Sequence, residues 1–339
     1  MSERLIPHDK LQSFTASCLE NLGLAAAEAR LVAETLVAAN LRGVDSHGVV
    51  RLPHYATRLR NGTVKPRPNI AVRRTGPSAA VVEGDAGMGQ LVAVRAMQEA
   101  ISLAKQNGVG AVVARNSSHC GACAYFVELA VRQGMIGVAL THTDPIMVPP
   151  GMKRIFLGSN PIAFGAPGGN GPPVIVDMST THVAWGKVLV ARQEGKPIPP
   201  EWGIDAQGKP TTDAERAVAL APTGGHKGYA LALMIEILCA HLAGVPFGLH
   251  VTKMYGELDK PRNLGHFMLA LDVARFTDSA AFRSQIDLLL QEIHAESALA
   301  PGDPERLTAE QRTKNGIPLG DAVLAELDAL GAELGVAKL

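Results

Sequence analysis

The spacing of apolar residues predicts three helices near the start of the chain. Leu11, Phe14, Cys18 and Leu22 recur at the spacing of an amphipathic helix, and Gly23 is a suitable stop. The segment LAAAEARLVAETLVAANLRG is dense in strong helix formers and ends in another glycine. A third helix is predicted in GVVRLPHYATRLRNG, where a proline stands near the first turn.

From about residue 76 the pattern changes to an alternation of apolar strands and amphipathic helices. SAAVVEG, VGAVVARN and MIGVALTHT are typical of strands, and the helices QLVAVRAMQEAISLAKQNG and GACAYFVELAVRQG lie between them. Further strands are predicted in NPIAFGAP, PPVIVDMS and HFMLALDV, and the last part of the chain is helical again. Such alternation predicts an α/β domain.

A break in this pattern covers residues 193–213, which are rich in Pro and Gly and predict a long surface loop with tight turns. The glycine-rich PTGGHKG then leads into a long apolar helix at about 228–243. This helix contains Glu236 and His241, which favour a buried helix over a membrane span.

Composition limits the classes of partner. The chain has 339 residues, 47% of them hydrophobic and 19% charged, as expected for a globular protein with a substantial core. Its 32 Lys and Arg balance its 32 Asp and Glu, so no charge excess favours nucleic acid or an anionic membrane. Four cysteines do not make a disulfide framework, and MSERLIPHDK lacks the apolar core of a signal peptide. A cytoplasmic location is therefore predicted.

The segment DSHGVVRLP is the first candidate site. If the chain is helical from Ser46, His47 and Arg51 form an i,i+4 pair on one face. A guanidinium matches a planar carboxylate, and a neighbouring imidazole can transfer a proton near neutral pH. The alternative is a plain helix start, capped by Asp45 or Ser46, with Arg51 in solvent.

A second candidate is RNSSHCGAC, where His119 lies between a strand and a helix. Ligands bind at strand ends of this kind. Cys120 and Cys123 form a C-x-x-C, which together with His142 in THTDP could indicate a redox pair or a metal site. There is no second C-x-x-C and no H-E-x-x-H, so packing in the first helical turn is favoured and no metal is expected.

Two further segments could bind a nucleotide. VIVDMSTT ends a strand at Asp177, which could orient a histidine, bind a ribose hydroxyl or cap the next element. GGHKGYAL places Lys227 and several glycines at a helix start, a plausible phosphate cradle. Neither G-x-x-x-x-G-K-[ST] nor a correctly placed G-x-G-x-x-G occurs, so spacing alone does not predict a nucleotide-binding fold.

Six motifs, taken together and in order, resemble one known family. They are LRGVDSHGVVRLPHY, SSHCGA, LGSNPIAFGAP, VDMSTTHVAWGKV, GGHKGYALALMIEIL and APGDPE. The chain resembles the malate/L-lactate dehydrogenase family, which also holds ureidoglycolate dehydrogenase, diketogulonate reductase, sulfolactate dehydrogenase and the piperideine/pyrroline-2-carboxylate reductases. The resemblance runs from about residue 5 to 320.

This resemblance implies an NAD(P)-dependent oxidoreductase with an α/β (α+β) fold that is not a Rossmann fold. We expect a mixed sheet with flanking helices in a cofactor-binding domain at 76–274. A helical domain at 1–75 would be joined by C-terminal helices from about 275–339. The resemblance also implies NAD or NADP as cofactor, no metal, and a homodimer with the active site near the subunit interface.

The resemblance also assigns site residues by motif. It implies that Ser46, His47 and Arg51 form the substrate segment, with His47 or His119 as the proton carrier. Thr143 falls at a substrate contact, and Asp177 would support the imidazole as well as the cofactor. The remaining cofactor positions are Met178, Ser179, Lys227, Gly228, Gly302, Asp303 and Glu305.

The reaction expected from these residues is hydride transfer between the nicotinamide and C2 of a small 2-hydroxy or 2-oxo carboxylic acid, such as malate, lactate or ureidoglycolate. An alternative is reduction of a cyclic imine carboxylate, in which nitrogen replaces the oxygen. Two further alternatives are a metal-dependent hydrolase that uses the His119–Cys123 segment with His142, and a non-catalytic binding protein. The chain departs from the family at Gly151 and Met152, where a Gly-Gly pair is common.

Overall fold

The structure is a computed structural model that describes residues 3–339, and it has ten α-helices and twelve strands in that range. The helices are α1 (His8–Asn21), α2 (Ala26–Leu41), α3 (Leu52–Arg60), α4 (Gly89–Asn107), α5 (Ala124–Val131), α6 (Trp185–Gln193), α7 (His226–Glu236), α8 (Ser279–Ala295), α9 (Asp303–Asn315) and α10 (Asp321–Glu333). The strands are β1 (Glu3–Ile6), β2 (Ala71–Gly76), β3 (Ala79–Glu83), β4 (Val109–Ser117), β5 (Met135–Thr141), β6 (Ile162–Ala166), β7 (Val174–Met178), β8 (Gly203–Ile204), β9 (Pro210–Thr211), β10 (Ala219–Leu220), β11 (Leu264–Asp272) and β12 (Ile317–Gly320).

A seven-stranded mixed sheet forms the centre of the molecule, in the order β2-β3-β4-β11-β5-β6-β7. Only β3 and β4 are parallel, and every other neighbouring pair is antiparallel. The late strand β11 lies between β4 and β5, so that Met268 is opposite both Val112 and Ala139. This order is not that of a doubly wound dinucleotide-binding sheet, which explains why the glycine fingerprint of that fold is missing.

Helices α4 and α5 cover one face of the sheet and bury a large apolar cluster with it. The approach is close at Gly110, where an added Cβ would lie 2.0 Å from the carbonyl oxygen of Ala100. On another part of the sheet Ile235 and Cys239 pack with Leu140. The strong apolar alternation of β4, β5 and β11 therefore reflects burial within a layered α/β fold.

A second apolar cluster joins the two ends of the chain. It includes Leu11 and Leu36 from the first helices, Tyr55 from α3 and Leu327 from α10. Strand β1 pairs antiparallel with β12, so the first and last described segments are adjacent. The α/β class and the mixed sheet predicted above are confirmed, and the division into two domains stays a prediction.

Three local predictions need correction. The chain from Asp45 to Arg51 is not a continuous helix but two short 3-10 turns. The apolar helix begins at His226, becomes a π-helix at Ile237–His241, and is not buried all round, because Ile237 is 50% exposed. The predicted loop at 193–213 contains the two short strands β8 and β9.

Within residues 3–339, no helix combines the length and the apolar character that a membrane span requires.

Candidate active site

The DSHGVVR segment forms its two 3-10 turns because Gly48 separates Asp45–His47 from Val49–Arg51. An added Cβ at Gly48 would lie 2.1 Å from Oδ1 of Asn40, a residue that is almost fully buried on α2. The Asn40 side chain accepts a hydrogen bond from the Val49 amide (2.8 Å) and donates one to Asp45 (2.6 Å). The turn is thus built around one buried amide, which an α-helical continuation would displace.

Arg312 holds the same turn from the C-terminal part of the chain. Its two terminal nitrogens donate to the two carboxylate oxygens of Asp45, at 2.7 and 3.0 Å. Asp45 therefore acts as an anchor for the turn, in which it is the first residue, while Val44 is at the N-cap position. Bidentate pairing of this kind fixes orientation as well as position.

Arg51 and Ser46 are in direct contact, although not in the helical arrangement that was expected. The Nε of Arg51 donates to the carbonyl oxygen of Ser46 at 2.5 Å, while the Ser46 hydroxyl lies 3.0 Å from Nδ1 of His47. In residues 3–339 no carboxylate is paired with the Arg51 guanidinium, whose carbon lies 5.8 Å from the ring centre of Tyr255. The terminal nitrogens of Arg51 are therefore available to a ligand.

The structure brings His119 beside His47. Their rings are stacked with centroids 5.6 Å apart and an interplanar angle of 26°. The Tyr55 hydroxyl lies 2.7 Å from Nδ1 of His119, and Gln90 Nε2 donates to that hydroxyl at 3.1 Å. Two sequence-distant candidates thus share one place with Arg51 and Ser46.

Burial and neighbouring positive charge keep these histidines neutral. Burial, with a smaller contribution from Arg51, lowers the pKa of His47 to about 4. Burial also holds the pKa of His119 well below 6.5, and His47 and Arg51 act in the same direction. A bound anion would oppose the charge of Arg51, so it would raise both pKa values.

A set of buried cations lies beside this pair. Arg58 donates to the carbonyl oxygens of Met254 (2.8 Å) and Lys260 (3.0 Å), and burial lowers its pKa to about 10. Arg262 is paired with Asp144, which also accepts from the Met254 amide. Arg262 lies near both Arg51 and Arg58 and lowers the pKa of each, while Asp144 and Glu257 act in the opposite direction at Arg58. Three arginines against two acids leave an excess of positive charge that suits an anionic ligand.

Thr143 lies immediately before Asp144 and is half-buried. Its hydroxyl accepts from the Ser159 amide at 3.0 Å, and its own amide donates to Asn160 at 3.0 Å. These contacts fix the backbone just after β5 and thereby the position of Asp144.

Asp177 is placed differently from the expectation that it fixes the imidazole. Its carboxylate accepts from the Ala124 amide at 2.7 Å, and within residues 3–339 it has no hydrogen bond to His47 or His119. Part of the residue is exposed to solvent. Burial of its carboxyl group nevertheless raises its pKa to about 6, although the hydrogen bond from the Ala124 amide lowers it. Asp177 is therefore tied to the start of α5.

The strand end at Met178 and Ser179 lies next to the start of α7. The Thr223 amide donates to the carbonyl oxygen of Thr180 at 2.9 Å. Gly228 packs closely, since an added Cβ would be 2.4 Å from the Thr223 carbonyl oxygen, and Lys227 is exposed beside it. Met178 is exposed as well, so these segments form one surface.

The APGDPE segment reaches the same edge strand. Gly302 has φ +96°, and an added Cβ there would be 2.9 Å from the carbonyl oxygen of Ile175 on β7. Asp303 is buried and accepts from His294 (2.6 Å) and the Ala300 amide (2.9 Å), so it caps its own loop. Glu305 is partly exposed in the first turn of α9.

The alternative metal site is not assembled. No group of three His, Cys, Asp or Glu in residues 3–339 is arranged to hold a metal ion. His142 is instead buried with its ring near the carbonyl oxygens of Gly265 and Pro246. Cys120 and Cys123 are both buried and free, as expected for packing.

Several site residues were missed from the sequence, namely Asn40, Tyr55, Gln90, Arg262 and Arg312. Tyr55 stands in the RLPHY motif at i+4 from Arg51, which is a usable signal. Asn40 is local, since its partner Asp45 is 5 residues away. Gln90, Arg262 and Arg312 join segments far apart in the chain, as in the Arg312–Asp45 pair, and only the fold brings them together.

Substitution of Gly48 by alanine tests the built turn. We expect Gly48→Ala to destabilise the protein by about 1–3 kcal/mol, because the new Cβ must displace Asn40. The contact between Arg51 and the Ser46 carbonyl oxygen would move as well. We therefore expect any turnover to fall by more than the loss of folded protein explains. The matched control is Gly320→Ala, where an added Cβ meets nothing within 4 Å. Equal unfolding free energies for the two variants in urea would contradict this account.

Comparison with known proteins agrees with the fold. The family model for malate/L-lactate dehydrogenase matches residues 6–328. The solved structure of malate dehydrogenase from Pyrococcus horikoshii is 38% identical, with a TM-score of 0.90 over 99% of this chain and 97% of that one. Ureidoglycolate dehydrogenase (NAD(+)) from Escherichia coli O157:H7 is 38% identical over 96% of both chains. The structure of δ1-piperideine-2-carboxylate reductase from Pseudomonas syringae is 28% identical, with a TM-score of 0.89 over 96% of this chain and 99% of that one. The chain thus belongs to the malate/L-lactate dehydrogenase family of oxidoreductases.

Proposed function

We propose that the protein catalyses NAD(P)-dependent hydride transfer at C2 of a small 2-hydroxy or 2-oxo carboxylic acid. The observation that carries this proposal is the Arg51 guanidinium, unpaired with any carboxylate of the described chain, beside the stacked His47–His119 pair. The malate and ureidoglycolate dehydrogenases that it resembles are named for 2-hydroxy acids of this kind.

Arg51 is the proposed carboxylate clamp. Because its Nε is used by the Ser46 carbonyl, the two terminal nitrogens remain for two parallel hydrogen bonds to a substrate carboxylate. The nearby Arg58 and Arg262 strengthen the positive field, which favours substrates with further negative charge. Thr143 and Tyr255 would line the same pocket.

His119 is the proposed proton carrier. In the oxidation direction, the neutral imidazole takes the proton of the C2 hydroxyl on Nε2, because Nδ1 faces Tyr55. In reduction the imidazolium returns that proton to the C2 oxygen. His47 would hold the ring by stacking, and Ser46 would orient His47.

The cofactor would lie along the surface made by Met178, Ser179, Lys227 and Gly228, with Gly302 and Glu305 at its edge. Lys227 is exposed at the start of α7, and in the described chain no carboxylate is paired with it, so its ammonium suits a phosphate. Asp177 would contribute from the end of β7. Bound there, the nicotinamide would supply or accept the hydride.

A cyclic imine carboxylate is the second candidate substrate. The likeness to piperideine-2-carboxylate reductase favours it, and the same Arg51 clamp would serve. An absorbance assay at the nicotinamide band, with both dinucleotides against 2-oxo acids and cyclic imines, tests both. We expect turnover with a 2-oxo dicarboxylate; turnover with imines alone would favour the second candidate.

We further propose that the protein is a homodimer that forms through the exposed apolar face of α7 and the π-helix. Met234 is 41% and Ile237 50% exposed, and Leu242 beyond them is also exposed. Apolar side chains at helical spacing on one face are typical of a surface covered by a partner. The four buried free thiols fit the cytoplasm, where we place the protein.

The dimer is tested by Ile237→Glu. We expect the apparent mass to fall from twice 35.6 kDa to 35.6 kDa in sedimentation, because a charge would be buried in the interface. Leu5→Glu, at an exposed apolar residue on β1, is the control and should stay dimeric. A monomeric wild-type protein would contradict the dimer.

A further inference from the structure

Gln90 has no role in the function proposed so far, and Tyr55 enters it only as the residue that faces Nδ1 of His119. Both are buried, Gln90 on α4 and Tyr55 on α3, and they form a chain of hydrogen bonds that ends at His119. Gln90 Nε2 lies 3.1 Å from the Tyr55 hydroxyl, which lies 2.7 Å from Nδ1 of His119. In residues 3–339 these are the hydroxyl's only hydrogen-bond partners.

The direction of these bonds determines where the imidazole proton lies. When the Gln90 amide donates a hydrogen bond to the Tyr55 oxygen, the Tyr55 hydroxyl donates a hydrogen bond to Nδ1 of His119. The single proton of the neutral ring then lies on Nε2. In this state Nε2 can donate a hydrogen bond to a substrate oxygen, but it cannot accept a proton.

The other amide atom of Gln90 makes the reverse direction accessible. Its Oε1 is buried and has no hydrogen-bond partner in the described structure. A half-turn of the amide would place Oε1 against Tyr55, which would donate to it and accept from Nδ1–H of His119. Nε2 would then carry a free lone pair. Within the described structure each orientation leaves one amide atom unpaired, so the number of hydrogen bonds does not favour either one.

We propose that Gln90 and Tyr55 are positioning residues that select the tautomer of His119. A half-turn of the Gln90 amide would change the neutral ring from the form protonated on Nε2 to the form protonated on Nδ1. This rests on the proposed role of His119 in proton transfer. In oxidation the C2 hydroxyl proton passes to Nε2 of His119, and a bound nicotinamide would accept the hydride from C2. The imidazolium keeps its Nδ1–H bond to Tyr55 and later releases the Nε2 proton to solvent.

Substitution of Gln90 is expected to lower turnover more than substitution of Tyr55, the residue that contacts the ring. In Gln90→Met the Tyr55 proton has only Nδ1 of His119 to accept it, so the ring is held with Nε2 protonated. We expect kcat for oxidation of the hydroxy acid to fall roughly 5- to 150-fold, since the base form would leave a buried hydroxyl proton unpaired. Tyr55→Phe removes this bias and should lose less, although it is nearer to the ring.

The double variant Gln90→Met/Tyr55→Phe gives the decisive comparison. We expect it to recover the kcat of Tyr55→Phe alone, because without the hydroxyl nothing holds the wrong tautomer. Gln106→Met, the same substitution at an exposed position of α4, is the control and should match wild type. A smaller loss in Gln90→Met than in Tyr55→Phe, or a double variant worse than either, would overturn the proposal.

Nitrogen NMR of histidine-labelled protein supplies a measurement independent of turnover. The His119 signal is identified by its loss in His119→Asn. We expect the ring-nitrogen shifts of Gln90→Met to show a bare Nδ1 and a protonated Nε2, and those of Tyr55→Phe to be averaged. Unchanged shifts in both variants would overturn the proposal that Gln90 and Tyr55 select the tautomer of His119. If the variants show the expected shifts but the wild type has no turnover, the tautomer selection by Gln90 and Tyr55 is supported and the proposed function is refuted.

Discussion

His119→Ala should lower kcat by about 10²- to 10⁴-fold in both directions while the dinucleotide still binds. The ring is held by Tyr55 on one nitrogen and packs on His47, so its loss removes the proposed proton carrier without removing Arg51. Because the pKa of His119 in the ligand-free protein lies well below 6.5, kcat/KM for oxidation by the wild type should stay constant from neutral pH down past 6.5 and fall only in more acidic solution. Steady-state kinetics across this range check both statements.

The matched variant is His47→Ala, which removes the other ring of the stacked pair. We expect a loss within about tenfold, the size of an aromatic packing contact of roughly 0.5–1.5 kcal/mol. If His47→Ala loses 10²-fold or more and His119→Ala does not, the proton carrier is His47 and the assignment made here is wrong.

Arg51→Lys is expected to lower kcat/KM for carboxylate substrates roughly 10- to 150-fold, mostly through KM, because the ammonium cannot form two parallel hydrogen bonds. The loss of Nε also frees the Ser46 carbonyl oxygen that Arg51 now binds. A substrate whose carboxylate is replaced by a carboxamide reports on the clamp directly. Wild type should prefer the carboxylate strongly, and the variant should prefer it less.

The control for this variant is Arg67→Lys, the same change at an exposed arginine whose Nε donates to the Gly23 carbonyl oxygen. It should leave KM unchanged. An Arg51→Lys enzyme with the wild-type KM and the wild-type preference for carboxylate would exclude Arg51 as the clamp.

The elements of the sheet could be predicted because burial dominates their composition. Strands β4, β5 and β11 are apolar runs bounded by turn residues, and α4 has a broad apolar face. The pairing of β11 between β4 and β5 could not be predicted, since its partners are far away in sequence. Edge strand β2 was missed because its side chains are mostly exposed and polar.

The candidate site divides in the same way. The motifs carrying Ser46, His47, Arg51 and His119 are local, and the structure brings these residues together. The helix assumed for that segment was wrong because Gly48 packs against a buried amide on α2, a contact that no local pattern encodes. Asp177 was expected at the imidazole, yet the α5 amide competes for its carboxylate.

The fate of a deuterium label tests the central claim most directly. The enzyme is supplied with NADH or NADPH carrying deuterium at both C4 positions of the dihydronicotinamide, together with a 2-oxo dicarboxylic acid, and the product is examined by mass spectrometry and NMR. We predict a 2-hydroxy acid with one deuterium at C2. Product without deuterium at C2, or no product from any 2-oxo acid with either dinucleotide and folded enzyme, would contradict the account.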